Sequence, residues 1–231
     1  MIRPLDIASS LASTLARAGA GLSAGALGRR PEKPLELYEF EACPFCRKVR
    51  EALSALDLEA VIRPCPKGGP NFREWVKREG GKAQFPYLVD PNTGKAMYES
   101  DEIVRYLFAE YGDGKVPALL SGGPINALSG SLASALRLGA GVRYRPARAP
   151  EQPLELWSFE ASPFCRIARE ALCELELPYL LHNVAKGSPS REAFVARSGK
   201  MMVPYLVDPN TGVEMFESAD IATYLETTYA R

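Results

Sequence analysis

The stretch CPFC, from Cys43 to Cys46, carries the most reactive chemistry in the chain. Two thiols at this spacing can exchange a disulfide with a substrate or close one between themselves. The reactive species is the thiolate, which the partial positive charge at a helix N-terminus favours. Pro44 suits a first helical turn, where its missing N–H costs nothing. Phe45, Val49, Leu53 and Leu56 then recur with helical spacing. A helix is therefore expected from Pro44 to about Leu56, with Cys43 at its mouth. Arg47 and Lys48 on the next turn are expected to help activate Cys43, and Cys46, toward the buried flank, to resolve a mixed disulfide.

The chain writes this stretch twice. EACPFCRKVREAL begins at Glu41 and EASPFCRIAREAL at Glu160, so Ser162 stands where the first copy has Cys43. A serine hydroxyl cannot form a disulfide, and Cys165 alone occupies the inward position. A structural zinc clip would need a second cysteine pair at matching spacing, which this substitution removes, so no metal is assigned. PYLVDPNTG recurs from Tyr87's preceding proline, Pro86, and from Pro204, and MYESDEIVRYL from Met97 matches MFESADIATYL from Met215. Even the upstream SLASTLARAGAG from Ser10 is echoed by SLASALRLGAG from Ser131. Two complete units of one fold stand in tandem.

Each unit reads as β-α-β-α-β-β-α. LELYEF alternates as a strand does, EAVIRP is a second strand, NFREWVKRE a second helix, and PNTG a turn between hairpin strands. DEIVRYLFAEYG closes the unit with a helix stopped at Gly112. Ile7, Leu11 and Leu15 fall four apart, and Leu128, Leu132 and Leu136 repeat the spacing. Each unit is thus expected to follow a short helix that docks an apolar stripe on it. The Ala-, Ser- and Arg-rich start has the composition of a transit peptide, but its mid-chain echo favours the helix. The expected boundaries are a helix and linker at 1–30, a first domain at 31–115, a helix and linker at 116–150, and a second domain at 151–231.

With 28 basic and 28 acidic residues, the chain has no net field to draw nucleic acid, and no apolar run is long enough to span a bilayer. Neither nucleic acid nor membrane is expected as a partner. The single histidine, His182, lies in the apolar stretch LPYLLHNVA and reads as a partly buried strand residue rather than a catalytic base. Five cysteines without framework spacing point to a reducing compartment, and a cytoplasmic location is expected. Cys65, just past the second strand, is expected near the surface. Cys173, within a helix, is expected to pack, and Trp75 and Trp157 to be core or interface residues.

A strand feeding a helix through C-x-x-C, with a later hairpin strand that follows a proline, resembles the thioredoxin superfamily. CPFC is similar to a glutaredoxin active site, FPYLVD to its cis-proline strand, and ESDEI to the Glu-Ser start of a helix in glutathione transferase N-terminal domains. The implied fold class is α/β, with two tandem thioredoxin-like domains. Only about 5% of X–Pro bonds are cis in folded proteins, yet the resemblance implies cis bonds at Phe85–Pro86 and Val203–Pro204. It further implies that Phe85, Pro86, Glu99 and Ser100 bind glutathione, with Ser162, Cys165, Val203, Pro204, Glu217 and Ser218 as a second candidate site. Read from the residues alone, Ser100 and Ser218 are helix N-caps. The implied activity is a glutathione-dependent thiol–disulfide oxidoreductase acting on client proteins or small disulfides, with glutathione as co-substrate. Two rival readings are a non-enzymatic module holding glutathione or an iron–sulfur cluster, the cluster being less favoured, and a glutathione transferase. Transfer is discounted because the second unit stands where transferases carry a helical domain. The favoured mechanism needs Cys43 ionised, accessible and seated at a helix entrance.

Overall fold

A computed structural model describes residues 4–15, 17, 19–25, 27–121, 137 and 139–231. Helix α1 (Pro4–Leu15) precedes the first repeat, which runs β1 (Leu35–Glu39), α2 (Pro44–Leu56), β2 (Ala60–Pro64), α3 (Phe72–Glu79), β3 (Tyr87–Asp90), β4 (Lys95–Met97) and α4 (Ser100–Tyr111). The second repeat follows the same order: β5 (Leu154–Ser158), α5 (Pro163–Glu174), β6 (Tyr179–Asn183), α6 (Ser190–Ser198), β7 (Tyr205–Asp208), β8 (Val213–Phe216) and α7 (Ser218–Tyr229). The chain is α/β, as its patterning implies. No helix among the described residues is long and apolar enough to cross a membrane.

The eight strands among the described residues form one sheet in the order β4-β3-β1-β2-β6-β5-β7-β8. Within each repeat the first two strands are parallel and the hairpin runs antiparallel to them. The repeats meet where β2 pairs antiparallel with β6, Ala60 opposite Leu181, Val61 opposite Leu180 and Ile62 opposite Tyr179. Val61 and Leu180 are each the second residue of their strand, so the pairing maps onto itself when the repeats are exchanged. Each repeat thereby covers the unpaired backbone edge of the other.

Strand alternation sends Leu35 and Leu37 to one face of the sheet and Tyr38 to the other. The first face holds a single apolar core drawn from both repeats, including Leu37, Leu53 and Phe108 from one and Leu156, Leu172 and Leu225 from the other. The second face carries two smaller clusters, one around Tyr38, Cys65 and Tyr87, the other around Trp157, Phe194 and Tyr205. A carboxylate at the end of each hairpin strand fixes the last helix. Asp90 accepts from Tyr106 and Tyr111, both at 2.5 Å, and Asp208 from Tyr224 and Tyr229 at 2.7 and 2.6 Å.

The leading helix docks by a face other than the expected one. Ile7, Leu11 and Leu15 are 38%, 48% and 71% exposed, whereas Ser10 and Ser13 are fully buried. What α1 meets is polar. Ser10 Oγ donates to the Pro163 carbonyl at 2.8 Å, Thr14 Oγ1 to the Ala161 carbonyl at 2.9 Å, and the Arg166 guanidinium donates to the Ser10 carbonyl at 2.6 Å. A leucine stripe offers no acceptor to a buried guanidinium, and a serine face does. The echoed stripe at Leu128, Leu132 and Leu136 lies outside the described residues.

Candidate functional site

Cys43 is the N-cap of α2, with extended backbone (φ −74°, ψ 121°), and its sulfur accepts the Cys46 backbone N–H at 3.3 Å. A hydrogen bond from the Cys46 side chain is the largest influence on it and favours the thiolate. Burial and the Glu39 charge oppose ionisation, while backbone N–H groups of Cys46 and Phe45 assist it, and the net result holds Cys43 below the ordinary thiol range. Cys46 moves the other way. Fully buried, hydrogen-bonded to Cys43 and facing its charge, it is pushed well above that range. One sulfur is set up to carry charge and its neighbour to keep a proton.

Arg47 and Lys48 do not supply the activation expected of them. Arg47 is bound to Glu51 at 3.2 Å and Ser13 at 2.7 Å, and Lys48 is paired with Asp101. Exposure of Cys43 is small, at 4%. Its counterpart Ser162 is also 4% exposed, with nearly the same backbone (φ −69°, ψ 119°), and it lines an open groove. A residue on a groove floor can meet a slender ligand while showing little area to solvent.

Both expected cis bonds, Phe85–Pro86 and Val203–Pro204, are present. The Phe85 ring stands edge-on to Phe40 at 6.2 Å, beneath the Arg73 guanidinium at 4.7 Å. The start of α4 differs from the sequence reading. Glu99, not Ser100, is the N-cap, and it adopts φ 66° and ψ 109°; Glu217 repeats this before α7 with φ 65° and ψ 116°. Positive φ in a residue bearing a Cβ costs about 1–3 kcal/mol and collects at functional sites. Nothing in the residue types announces it, since a glycine would be expected there. Ser100 and Ser218 become first helical residues, 8% and 5% exposed. Gln84 Nε2 donates to Glu99 Oε1 at 2.6 Å.

In the second repeat, Phe159, Ser162, Phe164, Met201, Val203, Pro204, Glu217 and Ser218 all face one groove of about 550 Å³. Five of the six residues of the second candidate site, Ser162, Val203, Pro204, Glu217 and Ser218, are thus brought together. Cys165 is fully buried behind Ser162, whose Oγ accepts the Cys165 N–H at 3.2 Å.

The two helix entrances are clasped to each other by buried charges that sequence reasoning missed. Arg50 of α2 reaches Glu160, two residues ahead of Ser162, at 2.9 Å, and also pairs with Glu39. Arg169 of α5 reaches Glu41, two residues ahead of Cys43, at 3.1 Å, and Glu160 at 2.8 Å. Arg17 with Glu51 and Arg137 with Glu170 extend the cluster at 2.5 and 2.6 Å. The available signal was the repeat itself. Glu41, Arg47, Arg50 and Glu51 recur at the same places as Glu160, Arg166, Arg169 and Glu170.

Cys65 is not at the surface. It is fully buried in the aromatic cluster behind β1, where burial raises its thiol well above the ordinary range. Cys173 packs as expected, between the repeats, where its sulfur accepts the Glu41 N–H at 3.4 Å and donates to the Gly141 carbonyl at 3.2 Å. His182 is a strand residue stacked on Trp157 at 4.2 Å, with Nδ1 2.5 Å from Glu59 and Nε2 3.3 Å from Glu155.

Comparison with known proteins assigns the repeats. The model of the glutathione S-transferase N-terminal domain matches residues 37–115 and again 156–231, well over half of the chain. The protein belongs to this family, carrying its domain twice. Among solved structures, a glutathione transferase of Bombyx mori is similar at 28% identity over 36% of this chain, with a TM-score of 0.29, and the chain spans 38% of that enzyme's length. A trimeric glutathione transferase of Leishmania is similar at 15% identity, over 86% of this chain and 68% of its own, with a TM-score of 0.31. Curated protein sequences return no match.

Proposed function

We propose that the chain is a glutathione-dependent thiol–disulfide oxidoreductase whose first repeat reacts and whose second binds and supports. The reading rests on one observation: the opposed settings of Cys43, an N-cap sulfur below the ordinary thiol range, and Cys46, a buried thiol well above it. In the proposed reaction the Cys43 thiolate attacks the glutathione sulfur of a mixed disulfide, R–S–S–G. The bond between the Cys43 sulfur and the glutathione sulfur forms, the S–S bond of R–S–S–G breaks, and R–S⁻ leaves to take a proton from water. A second glutathione thiolate then attacks the bound glutathione sulfur, releasing oxidised glutathione and restoring Cys43. The substrate disulfide gains two electrons, and two glutathione sulfurs lose them. Family membership supports glutathione as co-substrate. Low exposure of Cys43 favours a slender disulfide over a flat protein surface.

The test is glutathione-coupled disulfide reduction by the wild type, Cys43→Ser and Cys165→Ser. Activity is expected to vanish in the first variant and to survive in the second. Equal rates in all three proteins would end the proposal. A second reading, glutathione transfer to an electrophile, is favoured by the groove at Ser162, whose hydroxyl can hydrogen-bond a glutathione sulfur. It predicts conjugate formation that survives Cys43→Ser and is lost in Ser162→Ala.

A further inference from the structure

Each repeat places an acid just past the helix that follows its entrance, Asp57 in the first and Glu176 in the second, both with left-handed backbone (φ 53° and 50°). Both side chains cross to the other repeat, and there they part ways. Glu176 is fully used at the start of α3, where Asn71 Nδ2 donates to it at 2.7 Å and the Asn71 and Phe72 N–H groups at 3.1 and 3.0 Å. Asp57 is one methylene shorter, and the start of α6 differs: Ser188 stands where the first repeat has Gly69, and Ser190 where it has Asn71. Ser188 Oγ takes the Ser190 N–H at 3.0 Å, so that donor is spent. Asp57 Oδ2 accepts from Ser190 Oγ at 3.1 Å and lies 3.5 Å from the Arg30 guanidinium. Oδ1 is left over.

The Asp57 side chain is 2% exposed, and among the described residues its Oδ1 is the one buried side-chain oxygen or nitrogen without a hydrogen-bond partner. A buried acceptor in that state is costly and marks a place where a donor from outside the chain fits. Burial is the leading influence on this carboxyl and pushes it above its ordinary range, despite Ser188, Ser190 and Arg30. Asp57 lines a cavity of about 370 Å³ at the seam between the repeats, a size that suits a small ligand. Three carboxylates face this cavity, Asp57, Glu59 and Glu32, against the single cation Arg30. Arg30 is occupied, donating to the Leu56 and Asp57 carbonyls at 2.7 Å each. Glu59 is held by His182 at 2.5 Å, whereas Glu32 is exposed and has no hydrogen-bond or ion-pair partner among the described residues. Leu58, Pro34 and Pro189 complete the wall, and proline has no N–H to offer. The cavity thus presents acceptors and apolar surface, with its one cation already engaged.

We infer that this cavity binds a linear aliphatic diamine, with one ammonium at Asp57 Oδ1, the methylene chain against Leu58, Pro34 and Pro189, and the second ammonium at Glu32. Water donates to Oδ1 equally well and leaves the charge of the wall uncompensated, whereas a dication answers both needs. No group of three or more acidic, histidine or cysteine side chains among the described residues is placed to hold a metal ion, so the fit is to an organic cation. No bond is made or broken. The site is independent of the thiol–disulfide reading, since Asp57 caps the end of α2 opposite to Cys43.

The probes are 1,5-diaminopentane, n-pentylamine and Nα-acetyl-lysine methylamide, each titrated calorimetrically into the full-length protein at low ionic strength. The diamine is expected to bind about threefold more tightly than either monoammonium probe, the gain from one exposed ion pair. The lysine derivative tests whether the same ammonium chemistry comes instead from a protein side chain, and tighter binding of it than of the diamine would overturn the inference. Asp57→Asn, which keeps a residue that tolerates left-handed backbone, should weaken the diamine and pentylamine alike by about tenfold or more. Glu32→Gln lies on the exposed rim, away from any contact that holds the fold, and should bring the diamine down to the level of pentylamine while leaving pentylamine unchanged. No binding of the diamine, equal binding of diamine and pentylamine by the wild type, or affinities untouched by both substitutions would each sink the proposal. Disulfide reduction is measured separately, and its loss or survival leaves the diamine site where it stands.

Discussion

Cys43 and Cys46 are alike in covalent chemistry and differ in what surrounds them. The hydrogen bond from the Cys46 side chain is the leading influence on the Cys43 thiolate, so replacing that donor has a defined sign. Cys46→Ala should move the pH midpoint of Cys43 alkylation upward, while Cys46→Ser, which keeps an O–H donor, should move it less. Glu39→Gln, which removes an opposing charge, should move it downward. Iodoacetamide kinetics against pH, in variants that leave Cys43 as the fastest-reacting thiol, would read all three. An unchanged midpoint in Cys46→Ala would mean that the backbone N–H groups alone hold the thiolate. The pairing of these cysteines was legible from spacing and a proline. The burial of Cys65 was not, because Pro–Cys–Pro beside glycines has the composition of a surface loop, and only the return of α3 over β1 encloses it.

At the scale of elements, repeat order, strand alternation and turn chemistry were readable because each is a local property. Which face of a helix meets which neighbour was not. The α1 stripe has the spacing of a docking face and lies outward, because the surface it approaches consists of carbonyl groups and a buried guanidinium. Likewise Arg47, Arg50 and Glu51 of α2, all charged in type, are 3%, 1% and 0% exposed. Burial alone would keep Glu160 neutral, but Arg169, Arg50, Arg47 and Arg166 outweigh it and hold its carboxyl down to about 2. Glu160→Gln leaves those guanidinium groups short of a counter-charge, and the expected loss at neutral pH is about 3–5 kcal/mol, the range for breaking one partner of a buried pair. The pH dependence has a fixed direction. A depressed carboxyl contributes its full stabilisation above its unfolded value, 4.5, and loses it as pH falls toward 2. The gap between wild type and Glu160→Gln in urea denaturation should therefore be widest near neutrality and narrow progressively below pH 4.5. A gap independent of pH would place the cost in packing rather than charge.

On the scale of the whole molecule, the question is whether two family domains in one chain behave as two domains. Sequence repetition argues for two, since each copy holds a complete set of elements. The structure joins them by three independent means: the β2–β6 pairing, the common apolar core and the buried arginine–glutamate clasp. Separating the repeats would expose a strand edge, part of the core and several unpaired charges at once, so neither repeat should unfold while the other stays native. The chain's two tryptophans allow a direct check, because Trp75 stacks on Tyr38 in the first repeat and Trp157 on His182 in the second. Trp75→Phe and Trp157→Phe leave one reporter each, and their urea transitions, each scaled to its own stability by far-ultraviolet circular dichroism, should coincide with the loss of secondary structure. A tryptophan transition that precedes the dichroism change in either variant would show that one repeat opens alone. The serine-bearing copy would then be an appended domain, and Arg169, which it lends to Glu41 ahead of Cys43, would not be needed to keep that loop folded.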